Sequence, residues 1–137
     1  MKELLIIAGS KSDEEFVSQG LKLAKELGID AEFKIYSAHR NLEELIQYLG
    51  EVEKNGKTKV IVAVAGLAAA LPGVVAAKVK LPVIGVPVNC GPLNGVDALL
   101  SIAQMPKGVP VATMAIGNAG MINSIHFAKR ILDLTKK

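Results

Sequence analysis

The feature that most constrains this chain is an alternation, repeated five times, of short uninterrupted apolar runs with longer segments of helical periodicity. Leu4–Ala8 reads as a strand and stops at Gly9; a helix follows with Ser12 or Asp13 as N-cap, Val17, Leu21, Ala24 and Leu27 on its buried face, and Gly28 as its end. The spacing predicts strands at Ala31–Tyr36, Lys59–Ala65, Pro82–Val86 and Val111–Ile116, with Pro87 ending the fourth because proline cannot donate to a ladder. Between them it predicts a helix capped by Asn41, burying Leu42, Leu45, Ile46, Leu49 and Val52 and ending at Asn55-Gly56. Further helices are expected at Leu71–Val79, Asn94–Ala103, and from Asn118 or Asn123 to about Leu134. Apolar strands alternating with helices need cover on both faces. The expected fold is therefore α/β, a three-layer doubly wound parallel sheet of five strands.

With 137 residues the chain makes one domain, residues 1–137. It has no Trp and few aromatics, so Ala, Val, Leu and Ile must form its core. The net charge of +3 comes from scattered lysines, which argues against nucleic acid, since phosphate backbones need clustered charge. Val60–Ala77 carries no charge over 18 residues, near the length that spans a bilayer. Gly66, Pro72 and Gly73 interrupt it, and a buried strand, turn and helix explain it without a membrane. A single cysteine excludes a disulfide framework, no leader pattern precedes the first strand, and the expected compartment is the cytoplasm. Of the 29 charged residues, 20 lie in the first 59 positions. The long uncharged half that follows makes the third and fourth helices candidates for a subunit interface.

In open parallel sheets ligands bind outside the carboxyl ends of the strands, which directs attention to four loops, the last of them VPVNCGPLNG (Val86–Gly95) after the fourth strand. AGSKSD (Ala8–Asp13) offers a close-approach glycine, two hydroxyls and a helix start, suited to an anion or simply to capping; Asp13 would repel phosphate and suits ribose hydroxyls. YSAHRN (Tyr36–Asn41) puts Arg40, a planar phosphate fork, beside His39, which can move a proton near neutral pH; a surface histidine and an arginine paired with a glutamate fit equally well. The small residues of AGLAAALPG (Ala65–Gly73) admit a flat ring or allow tight helix packing, and both readings stay open. Cys90 has no base nearby in sequence and is expected as a buried thiol; His126 is expected on the surface of the last helix. No metal-ligand spacing is present.

Taken in order, these loops resemble the PurE family of purine biosynthesis. AGSKSD is similar to that family's GSxSD loop and SAHR to its SAHR motif, while AGLAAALPG parallels AGGAAHLPG. GVPVNCGPLNGVDALLSIAQMPKGVPVATMAIG and NAGMINSIHFAKRIL follow its later stretches, so the likeness runs from Ile6 to Leu132. The resemblance implies a flavodoxin-like subunit, a homo-octamer with sites between subunits, and conversion of N5-carboxyaminoimidazole ribonucleotide to its C4-carboxylated isomer through released CO2. It implies that Ser10, Ser12 and Arg40 hold the 5′-phosphate, Asp13 the ribose, and that His39 carries the proton. Ser37, Ala38, Gly66, Ala68, Ala69 and Leu71 complete the substrate pocket, with neither metal nor cofactor. A functional link to an ATP-dependent N5-carboxylating synthetase follows.

Three differences from the family pattern keep alternatives in play. Ala70 stands where the bacterial-type loop has a second histidine, as in the branch that carboxylates aminoimidazole ribonucleotide directly with CO2; a ribonucleotide binder without turnover is a further alternative. Asn41-Leu42 replaces Thr-Pro, and the chain is expected to lack most of the family's C-terminal helical tail.

Overall fold

The computed structural model describes residues 1–136. Five parallel strands, β1 (Leu4–Ala8), β2 (Ala31–Ile35), β3 (Val60–Ala65), β4 (Val83–Pro87) and β5 (Ala112–Thr113), form one sheet in the order β2-β1-β3-β4-β5. Five helices connect and follow them: α1 (Glu14–Glu26, entered through a 3-10 turn at Lys11–Asp13), α2 (Leu42–Asn55), α3 (Leu71–Lys78), α4 (Val96–Ala103) and α5 (Asn118–Thr135). The domain is doubly wound, as the alternation predicts. Its strand order reverses between β1 and β3, which fixes where a crevice can open.

Strand side chains alternate between faces, so each central strand feeds two cores. Leu4, Ile6 and Ala8 of β1 pack with Val17 and Ala24 of α1 and Met121, Ile125 and Leu132 of α5. Leu5 and Ile7 face the other way, onto Leu45 and Leu49 of α2, Leu71 and Val75 of α3, and Ile102 of α4. Every residue of β1, β3 and β4 is buried. At about 1.5–3 kcal/mol for each fully buried aliphatic side chain, these two layers dominate the stabilisation of the sheet. The uncharged run from Val60 to Ala77 resolves into β3, a loop and most of α3; among the described residues no helix is long and apolar enough to cross a membrane.

Several boundaries differ from the sequence reading, each for a local reason. β5 is two residues long instead of Val111–Ile116, because Pro110 ahead of it supplies no donor and the chain leaves the β4 ladder after Met114. After Met114 donates to the Gly85 carbonyl (2.9 Å), the chain detours until Gly117 donates to that of Pro87 (2.9 Å). α4 starts at Val96 and not at Asn94, since Asn94 (φ 52°) and Gly95 (φ 90°) are left-handed and cannot extend a helix. β3 begins after Lys59, and β4 slides one residue to end on Pro87. Leu42, predicted in the buried stripe of α2, is 41% exposed; it precedes Leu45, the first residue of that helix to enter the core.

Candidate functional site

A cavity of about 310 Å³ opens at the carboxyl ends of the strands beside the switch point. It collects every residue expected at the substrate site: Ser10, Ser12 and Asp13 after β1, Ser37, Ala38, His39 and Arg40 after β2, and Gly66, Ala68, Ala69 and Leu71 after β3. Ala70, singled out in the sequence for replacing a histidine, also lines it, as do Leu67, which the sequence reading missed, and Cys90, which it set aside as buried.

The β1 loop is organised by its serines. Ser10 is extended, and its Oγ accepts the Ser12 N–H (3.2 Å), capping the 3-10 turn that leads into α1, whose own N-cap position is held by Asp13, one of the two residues that the sequence offers for it. The Ser10 and Ser12 hydroxyls are hydrogen-bonded to each other (2.9 Å), so one donates to the other and the second O–H is left to face the cavity at a helix start. Asp13 stands at the start of α1 without capping it through its side chain. Burial raises its carboxyl pKa from the ordinary value, partly offset by a backbone hydrogen bond at Ser10.

The β2 loop is clamped from both ends. Ser37 Oγ accepts the N–H groups of His39 and Arg40 (3.2 Å each), while Asn41 Oδ1 accepts the Ser37 N–H (2.6 Å). Asn41 therefore occupies the cap position of α2 but turns its side chain back to the loop, not forward to the helix. Upstream, Tyr36 stacks on Tyr48 of α2 with ring centroids 5.0 Å apart. Burial, with further contributions from Glu32, Tyr36 and Glu51, pushes the Tyr48 phenol up to about 12, so it stays neutral. The clamp spends its hydrogen bonds on the backbone and leaves the His39 and Arg40 side chains exposed. The ion pairs among the described residues are Lys2–Asp30, Lys129–Asp133 and Lys136–Glu3, so Arg40 has no glutamate partner and its charge is available to an anion.

The third wall is apolar. Alanines 68 to 70 and Leu71 bring no titratable group. Cys90, expected as a buried thiol, is exposed and lines this wall, because it lies three residues beyond β4, outside the packed layers. The space that Gly66 leaves is not open to a ring: a Cβ there would fall 2.4 Å from the Cys90 sulfur. His126 is exposed on α5 and does not line the cavity. A second hollow, of about 270 Å³, is lined by Tyr36, Glu44, Gln47, Tyr48 and Glu51; its carboxylates disfavour a phosphate, which leaves the first cavity as the place for an anionic ligand.

One polar end with two hydroxyls, a guanidinium and an imidazole thus meets one apolar end within a space at the small end of ligand pockets. The family model for AIR carboxylase matches residues 3–137. The N5-carboxyaminoimidazole ribonucleotide mutase of Saccharolobus solfataricus is 50% identical over 137 residues, all of this chain and 85% of its own. That of Pseudomonas aeruginosa is 53% identical over 127 residues, 93% of this chain and 77% of its own. A crystal structure of a serine-to-aspartate variant of Treponema denticola PurE2 superposes with a TM-score of 0.86 at 30% identity, over 98% of this chain and 82% of that one. Topology, site and sequence agree, and the chain belongs to the AIR carboxylase, or PurE, family.

Proposed function

We propose that the protein is an N5-carboxyaminoimidazole ribonucleotide mutase of purine biosynthesis. The observation that carries this reading is the convergence of the loops after β1, β2 and β3 on one cavity, with His39 and Arg40 held side by side at its mouth. Its relatives of about half-identical sequence bear that name.

In this reading Ser10, Ser12 and Arg40 hold the 5′-phosphate through charge-assisted hydrogen bonds, and Asp13 accepts from the ribose hydroxyls. Protonated His39 gives its proton to N5 as the N5–carboxyl bond breaks and the electron pair returns to nitrogen, releasing CO2. The C4 carbon then attacks that CO2, and neutral His39 removes the C4 proton to restore the aromatic ring. One imidazole serves as acid and then base, so the net proton count does not change. Ser37 and Ala38 frame the imidazole, while Ala68, Ala69 and Leu71 keep water from the carbon being transferred. Gly66 supports this wall by seating Cys90.

The working form in this reading is a cytoplasmic homo-octamer. The exposed apolar side chains of Leu93 (59%), Val96 (50%) and Leu100 (54%), at and before α4, support burial against another copy. An ATP-dependent synthetase that carboxylates N5 would supply the substrate. Direct carboxylation of aminoimidazole ribonucleotide is the second reading, and one observation favours it: Ala70 leaves the third wall without an imidazole. Incubation with the N5-carboxy nucleotide, and separately with aminoimidazole ribonucleotide and bicarbonate, decides between them. Product from the first alone supports the mutase; efficient product from the second supports the carboxylase; binding without product in either supports a non-catalytic binder.

A further inference from the structure

Residues 37 to 41 close a ring of their own. The Ser37 N–H donates to Asn41 Oδ1 (2.6 Å), and the Asn41 N–H donates back to the Ser37 carbonyl (3.1 Å). Inside that ring the Ser37 hydroxyl oxygen accepts the N–H groups of His39 and Arg40. Every bond of the set runs through Ser37, and Asn41 is the only other residue that contributes a side chain to it.

This arrangement diverts Asn41 from its ordinary role. An asparagine at the N-cap position of a helix usually turns its oxygen forward, to the free N–H groups of the first turn. Here α2 receives no side-chain bond from Asn41, although Leu45 donates to the Asn41 carbonyl (3.1 Å). The oxygen goes instead to the partly buried Ser37 amide, which would otherwise stand without an acceptor. The family pattern has threonine at this position, which also carries an acceptor oxygen.

What the ring holds is the stretch that brings His39 and Arg40 to the cavity. The two side chains need that support unequally. Arg40 ends a long stem, and its charge attracts an anion over several ångströms, whereas proton transfer requires the imidazole within hydrogen-bond reach of the reacting atom.

We propose that Asn41 is a positioning residue: by holding the Ser37 amide it sets the His39 imidazole for proton transfer, with little influence on the grip of the phosphate. This inference rests on the mutase reading and adds to it the residue that aims the proton carrier.

The test compares the wild type with Asn41→Ala and Asn41→Asp in four readouts: kcat and KM for the N5-carboxy nucleotide at each protein's optimal pH, Tm, and hydrogen exchange of the Ser37 and Leu45 amides. N41A removes the acceptor, so kcat should fall about tenfold with KM within about threefold, the pattern of a misplaced catalytic group. Exchange at Ser37 should quicken at least about tenfold while Leu45, inside α2, keeps its rate. N41D keeps an oxygen at the same reach and should hold both kcat and the Ser37 exchange rate within about twofold of the wild type. A lower Tm with kcat unchanged in the folded variant makes Asn41 merely structural and overturns the inference. A fall in kcat with Ser37 exchange unchanged overturns it too, since this bond then does not hold the loop. Either result leaves the mutase reading standing, whereas no product from the wild type removes that reading and the inference together.

Discussion

The two walls of the cavity are built in opposite ways. On one, short-range hydrogen bonds fix the backbone and leave polar side chains free: the Ser10–Ser12 pair after β1 and the Ser37–Asn41 clamp after β2. On the other, Gly66 and Gly91 and the side chains of Cys90 and Leu67 fit together by shape, with no titratable group from 66 to 71. The difference teaches how labour divides at such a site. In the proposed reaction, charge and protons belong to the first wall, and exclusion of water to the second.

The sharpest way to break this contrast is His39→Asn. If His39 alone moves the proton, turnover should fall by about 10²–10⁴ while nucleotide affinity stays within a few-fold, measured by product formation and calorimetry. Equal loss of both would mean that the imidazole grips the ligand and does not serve the chemistry. Next in size, Arg40→Ala should weaken nucleotide binding by roughly ten- to a hundredfold, the scale of one hydrogen bond to a charged group, with a smaller change in kcat. The loss should shrink at high salt, which a packing defect would not do.

On the opposite wall the expected effects are on stability. Gly66→Ala sets a methyl against the Cys90 sulfur and should cost about 1 kcal/mol in chemical unfolding, the low end for overpacking, because that sulfur ends an exposed side chain that can turn aside. Combining it with Cys90→Ala should recover much of that loss, and strict additivity of the two changes would show that the residues do not share a space. The smallest effect is expected at Asp13. Because burial raises its pKa in the folded chain, the linked stability is present below the unfolded carboxyl value and lost as pH rises through the folded one. Asp13→Asn should therefore raise Tm at neutral pH and weaken nucleotide binding, with the Tm gap closing as pH falls through the carboxylate range. A gap independent of pH would assign the change to something other than ionisation.

The polar wall was legible because its chemistry is local in sequence. AGSKSD and SAHR each carry their whole message within six residues, and the strand-end rule says where they point. The fold was legible for a similar reason: the apolar runs of β1, β3 and β4 are buried on both faces and read without ambiguity. The apolar wall depends instead on which side chain fills which glycine across two loops more than 20 residues apart, and periodicity carries no such information. The strand-end rule does reach Cys90, in the loop after β4, but with no base near it in sequence the thiol reads as buried, and only the contact with Gly66 places it on the wall. Leucine itself gives no sign that residue 67 is left-handed; the sign lies in the resemblance, whose AGGAAHLPG motif has glycine at that position. The length of β5 was misread because its apolar residues also serve the detour after Met114, where only one neighbouring strand holds the chain.

The most direct measurement is a crystal structure of the protein with aminoimidazole ribonucleotide bound. The account predicts the 5′-phosphate within hydrogen-bonding distance of Ser10, Ser12 and Arg40, and the imidazole C4 facing the ring nitrogen of His39. A nucleotide seated elsewhere, or in this cavity with C4 turned away from His39, would contradict it.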